Sequence, residues 1–288
     1  MKDSFTPTFF RPISDVGFKK LFASEGNEDL TIQLLNSIID DEVITEVEYL
    51  NPVHAIKAET SATFDLYCKT ADDKRIIVEM QKGGSDKKFF PNRAIAYSSL
   101  AIMDMWRKNG RYSFDKLYFI GILNYSQFRG RKQWLTKSQL RASDDNYLVN
   151  ENYLQIYVEL PKLAASASDN PTLREQFLMA ISNLDKYKSR PEAYCDVSLD
   201  RLISESSYAN LTQDERQNYD KEMSTEEERQ SYLKILEQEA REKGMAQGIQ
   251  QGLQQGKLDA ARNLKAAGIS IEIICQCTGL EKETVEAM

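Results

Sequence analysis

Two apolar runs separated by a five-residue polar turn constrain this chain more than any other feature. Residues 62–69 (ATFDLYCK) and 75–81 (RIIVEMQ) are rich in β-branched and aromatic side chains, and Thr70-Ala71-Asp72-Asp73-Lys74 between them is turn-prone. The pattern predicts an antiparallel hairpin. Side chains alternate across a strand, so Asp65, Tyr67 and Lys69 share one face and Phe64, Leu66 and Cys68 the other. On the second strand Arg75, Ile77, Glu79 and Gln81 oppose Ile76, Val78 and Met80. A turn centred on Asp72 pairs residues whose numbers add to about 144, which sets Asp65 across from Glu79, with Gln81 two residues further on the same face. Carboxylates facing each other in this way cost roughly 0.2–1 kcal/mol and raise one another's pKa. A wet hairpin face tolerates that cheaply. A divalent cation between the two would make it favourable, because Mg²⁺ prefers hard oxygen ligands. Both readings stay open here, and a one-residue slip in the turn would put the acids on opposite faces.

Other chemistries have little to work with. The only histidine is His54, which excludes H-E-x-x-H zinc proteases and two-histidine nucleases. A serine or cysteine triad would depend on that one residue, which precedes a strand-like stretch with no nucleophile motif nearby. The four cysteines (Cys68, Cys195, Cys275, Cys277) have no C-x-x-C spacing, so zinc clusters and redox pairs lose support. No run approaches the ~18 apolar residues of a membrane helix, and MKDSFTPTFF lacks the apolar stretch of a signal peptide. The expectation is a cytoplasmic protein without a membrane partner, working with carboxylates.

Around the hairpin, the pattern reads as an α/β domain. Residues 14–22 and 27–39 read as helices, with Ser14 and Asn27 as N-caps. Residues 43–50 alternate like a half-buried strand that ends at Asn51-Pro52. A helix is expected over 92–107, capped by Asn92, then strands at 116–124 and 152–160, the latter stopped by Pro161, and helices over 171–187 and 198–206. The order implies a mixed central sheet flanked by helices, in a domain spanning residues 1–210.

Charge is divided unevenly along the chain. The net −7 lies entirely in residues 164–288, which hold 15 basic and 22 acidic residues; residues 1–163 hold 22 of each. Within the neutral part, residues 82–141 carry 13 Lys/Arg against Asp86, Asp104 and Asp115, a local +10. A polyanionic partner is therefore permitted, although solvated faces would give the same count. Residues 211–257 form a charged segment with glycines at 244, 248, 252 and 256, spaced as one helical stripe. Each glycine costs roughly 1 kcal/mol against alanine in a helix, so the segment is either a close helix-packing surface or a pliant linker. Residues 258–288 read as short helices broken at Gly268 and Gly279, spaced like a small helix-turn-helix. Glu281, Glu283 and Glu286 suit an interaction or oligomerisation module better than a phosphate groove.

The hairpin residues also carry a family likeness. Phe64-Asp65-Leu66, followed by Val78-Glu79-Met80-Gln81, resembles the D-(x)n-E-x-Q variant of the PD-(D/E)XK nuclease site. With Asp15-Val16-Gly17-Phe18-Lys19 and Phe22, Arg93-x-x-x-Tyr97 and the glycine-repeated tail, the chain resembles the Rpn / PD-(D/E)XK family of recombination-promoting nucleases and transposases. The ordered motifs cover about residues 11–160.

The resemblance implies a restriction-endonuclease-like core and Mg²⁺-dependent (or Mn²⁺-dependent) hydrolysis of DNA, linked to recombination or mobile elements. By the same resemblance, Asp65, Glu79 and the Met80 carbonyl would hold the metal. Gln81 stands where lysine is usual, able to orient a water or phosphate but unable to lose a proton. Asp15 would be a further acid, with Glu25, Glu28 and Asp29 as rivals, and Arg93, Tyr97 and Lys19 would face the DNA. Double-strand cleavage with one site per chain points to a homodimer. Gln81, the acidic balance and the glycine stripe keep a second reading open, a nuclease-fold interaction protein without activity. A DDE-type transposase would want its last acid on a late helix, which the close Asp65–Glu79 pair argues against.

Overall fold

The computed structural model describes residues 7–57, 60–83, 88–109, 114–166, 170–194 and 196–288. Lys87 and Arg111 of the basic stretch, its opposing Asp86, and Cys195 lie outside the described residues. The chain forms two compact units, Met1–Glu222 and Met223–Met288. No described helix is long and apolar enough to cross a membrane.

The first unit is built on a six-stranded mixed sheet. Its strands are β1 (Val47–Tyr49), β4 (Leu66–Thr70), β5 (Arg75–Gln81), β6 (Leu117–Leu123), β7 (Leu135–Gln139) and β8 (Tyr153–Glu159), in the order β1-β4-β5-β6-β8-β7. A separate hairpin pairs β2 (Val53–Lys57) with β3 (Thr60–Thr63). The β4–β5 register is Leu66↔Val78, Tyr67↔Ile77, Cys68↔Ile76 and Lys69↔Arg75, each pair adding to the expected 144. The turn closes because Asp73 takes a left-handed conformation (φ 62°), one that aspartate adopts more readily than most residues. The Lys74 carbonyl accepts from the Thr70 amide, and Thr70 Oγ1 donates to Asp72. From β5 to β6 to β8 the pairing is parallel, and every residue of β6 is buried, as a strand covered on both faces requires.

One face of the sheet is covered by α3 (Phe90–Asn109). Its Phe90, Ala94, Ala101 and Met105 pack with Phe64, Tyr67, Ile77, Phe119, Leu123 and Tyr157. Gly121 is required beneath it, since a Cβ there would come within 2.7 Å of the Phe90 ring and 3.2 Å of Tyr157. The helices α1 (Asp15–Phe22), α2 (Glu28–Asn36), α4 (Leu160–Ala165), α5 (Leu173–Asn183) and α6 (Asp200–Glu205) complete the unit, with Phe22 against Phe177 at 6.4 Å. Ser14 caps α1 as expected, its hydroxyl accepting from the Gly17 amide at 2.8 Å.

Several boundaries differ from the sequence expectation. The strand expected at 62–69 breaks at Phe64-Asp65 into β3 and β4, so Phe64 packs on the same side as Tyr67, their rings 5.3 Å apart. The strand expected over 43–50 is confined to three residues. Asn27 precedes α2 without a side-chain cap and instead donates to the Lys20 carbonyl. Asn92 lies inside α3, because the helix begins at Phe90 and Pro91 fits a first turn, where its missing N–H costs nothing. Pro161 ends β8 by opening α4 rather than a loop.

The long helix α7 (Gln213–Ala266) starts in the first unit and continues into the second. In the second unit α8 (Ile271–Thr278) and α9 (Lys282–Glu286) fold back around Ala261, Ile274 and Val285, and Lys265 donates to the Val285 and Glu286 carbonyls. The segment with the glycines is therefore helical. Side chains built at Gly248, Gly252 and Gly256 would meet nothing within 4 Å among the described residues.

Candidate functional site

Asp65 sits at the break where β3 gives way to β4. Ladder pairing ends at Leu66↔Val78, and beyond it the acids themselves bridge the strands. The Asp65 amide donates to Glu79 Oε1 at 3.1 Å, and Asp65 Oδ2 accepts from the Met80 amide at 2.8 Å. The chain thus gives up a stretch of regular pairing and holds two carboxyl groups at the C-terminal half of β5.

The pair is not evenly solvated: Asp65 is half-buried and lines an open cleft, whereas Glu79 is out of the water. Glu79 is 2% exposed, on the side of the sheet that α3 covers, which removes the solvated-hairpin reading. Burial is the main force pushing both carboxyls toward their neutral forms. For Asp65 the Met80 N–H opposes the rise and the Asp15 charge adds to it. For Glu79 the charge of Asp65 adds to the rise, while the Asp65 N–H opposes it. Arg93 and Lys19 act on both acids in the lowering direction but do not reverse either shift. Neither acid has an ion-pair partner among the described residues.

Most other residues singled out from the sequence come near this pair. Asp15, on the first turn of α1, is 56% exposed, forms an ion pair with Lys19 at 3.0 Å, and raises the Asp65 pKa through space. Asp15, Lys19 and Asp65 line one open cleft of about 630 Å³. Arg93 and Tyr97 are one turn apart on α3. Burial, then the Glu79 charge, raises the Tyr97 pKa, and the Tyr97 ring lies 5.1 Å from Phe64. Gln81 is the last residue of β5, half-buried, and shares the Glu79 face. The rivals to Asp15 lie elsewhere: Glu28 accepts from the Gly26 amide, Asp29 pairs with Arg201, and Glu25 is exposed outside the cleft lining.

The cleft also contains residues that the sequence did not single out. Lys20, Lys82, Glu215, Asn218 and Glu222 line it, and Lys82 forms an ion pair with Glu222. Lys82 follows Gln81 directly, so a cation beside the site was visible in the text. Glu222 had no local signal, because its partners lie more than a hundred residues away.

The donor set suits a hard divalent cation. Two carboxylates and the Met80 carbonyl are all oxygen ligands, and a cation would offset the like-charge repulsion between the buried Glu79 and the half-buried Asp65. Among the described residues no group of three or more His, Cys, Asp or Glu side chains could hold a metal, so water or substrate oxygens would have to complete the shell.

Comparison with protein families bears on the same residues. A model described as PD-(D/E)XK nuclease family transposase matches residues 12–235, which include α1, the hairpin, α3 and the rest of the sheet. The chain belongs to that family, and its mixed six-stranded sheet flanked by helices is the core the sequence likeness implied. Curated proteins and solved structures gave no match.

Proposed function

We propose that the chain is a divalent-metal-dependent DNA endonuclease whose site is the Asp65–Glu79 pair, with a role in recombination or mobile-element movement in the cytoplasm. The observation that carries this reading is the pair itself: a buried Glu79 and a half-buried Asp65 at the cleft, bridged through the backbone and raised in pKa, without an ion-pair partner among the described residues. Structural acids buried this way would ordinarily be paired with a cation from the protein.

Each residue then has a task its chemistry allows. Asp65, Glu79 and the Met80 carbonyl would hold Mg²⁺ or Mn²⁺, which would supply Lewis acidity for the attack of water. Gln81 orients the attacking water or a phosphate oxygen through its amide and takes no proton. Asp15 adds negative charge at the cleft edge. Arg93 and Lys19 neutralise the scissile and flanking phosphates, and Tyr97 donates a hydrogen bond to one of them. A single site of this kind cuts one strand, so duplex cleavage requires two chains.

The test is plasmid nicking. Asp65→Ala and Glu79→Ala should each abolish Mg²⁺-dependent nicking while circular dichroism remains unchanged; nicking at the wild-type rate in either variant overturns the assignment.

A further inference from the structure

The cleft that Asp65 lines holds a built-in anion. Glu222, near the start of α7, directs its carboxylate at the N-terminus of α1: Oε1 accepts from the Asp15 amide at 2.8 Å and Oε2 from the Val16 amide at 3.4 Å. The Lys82 ammonium pairs with Oε1. Two adjacent N–H groups at the positive end of a helix, with an ammonium beside them, are the donor arrangement that holds phosphate oxygens. Lys19 and Lys20 line the same cleft, as does Asp65. Glu222 is not alone in bringing acid there. Glu215, seven residues earlier on α7, pairs with Lys20 at 3.0 Å and accepts from the Thr212 amide at 2.7 Å. Between the two acids, the buried Tyr219 hydroxyl accepts from the Arg11 amide at 2.9 Å and fixes this face of α7 in place.

Ser14 caps α1 through the Gly17 amide alone, and Glu222 takes two further amides at the helix start, donors that any anion could use. The second acid on α7, Glu215, caps the start of α7 through the Thr212 amide and at the same time occupies Lys20, a second cation of the cleft.

We propose that Glu222 occupies a phosphodiester subsite of the cleft, made by the Asp15 and Val16 amides and Lys82, and must leave it before a nucleic-acid backbone can bind beside Asp65. This rests on the nuclease reading of the site and adds its regulation: the start of α7 competes with substrate. Opening costs the charge-assisted contacts of one carboxylate, and removing its charge therefore strengthens anion binding by roughly tenfold.

The experiment uses the full chain in EDTA, so that neither metal nor cleavage enters. Glu222→Ala empties the subsite; Glu222→Gln keeps an oxygen for the α1 amides and guards against a folding defect. Inorganic phosphate should raise the melting temperature of both variants relative to chloride at equal ionic strength, and should leave the wild type unchanged. A fluorescent oligonucleotide should bind both variants about tenfold more tightly than wild type. Adding Lys82→Ala should remove both gains. Equal responses of wild type and variants, or gains that survive Lys82→Ala, overturn the proposal. A phosphate response without tighter oligonucleotide binding leaves the anion subsite standing and counts against the nuclease reading instead.

Discussion

At the scale of single residues, Glu79 sets the behaviour of the site. Its folded-state pKa lies above its ordinary value of about 4.3, and that of Asp65 is raised too. A raised folded pKa means that the folded chain holds protons the unfolded chain has released. Stability from this source is therefore complete below the unfolded pKa and is lost as pH rises through the folded one. Without metal, the wild-type protein should lose stability as pH rises from about 4.5 toward neutrality and beyond. Glu79→Gln removes the cost of the charge, so its melting temperature should exceed that of wild type by several degrees at pH 8 and should converge with it near pH 4, at roughly 2–4 °C per kcal/mol. Calorimetric melting in EDTA across that range checks this, and parallel curves would contradict it. The juxtaposition of Asp65 and Glu79 was legible in the sequence from the turn, although side-chain-to-backbone hydrogen bonds at a strand break, and not alternation, hold Asp65 there. The burial of Glu79 was not, because the helix that covers it comes from another part of the chain.

At the scale of elements, the hairpin register was readable and the strand break was not. The polar turn at 70–74 fixes which residues oppose one another, so Leu66↔Val78 follows from the text. The break at Phe64-Asp65 depends on a side chain taking the Met80 amide in place of a backbone partner, and alternation alone cannot reveal that. β7 went unseen because its residues, LTKSQ, are mostly polar and lie at the sheet edge, where one buried threonine is enough. Gly121 is where the elements constrain each other most tightly: it pairs with Glu79 on one side and Tyr157 on the other, under the Phe90 ring. Gly121→Ala should destabilise the fold by about 1–3 kcal/mol in urea unfolding, since ring and strand must separate. It should also lower nicking, because α3 carries Arg93 and Tyr97. An unchanged urea midpoint would show that Phe90 can move aside freely.

At the scale of the whole molecule, charge distribution matters more than net charge. The +10 count over 82–141 is smaller in effect than it looked, because acids outside that stretch already engage some of it. Lys116 pairs with Asp41 at 2.7 Å, Lys137 with Asp40, and Lys82 with Glu222. Such pairings between distant segments cannot be read from a linear count. If the acidic residues beyond 224 compete with polyanions for the remaining cations, their removal has a measurable consequence. A chain ending at residue 224 should bind duplex DNA more tightly than the full chain, with a steeper dependence on salt as more phosphate contacts form. Filter binding across a salt series measures this, and coincident slopes would remove the idea. The proposed activity depends on one central claim, that the Asp65–Glu79 pair holds a divalent cation. Isothermal titration of the full chain with Mg²⁺, and again with Mn²⁺, tests it most directly. Saturable binding of one ion per chain to wild type, lost in both Asp65→Ala and Glu79→Ala, is the predicted result; the same binding in all three proteins, or in none, would contradict it.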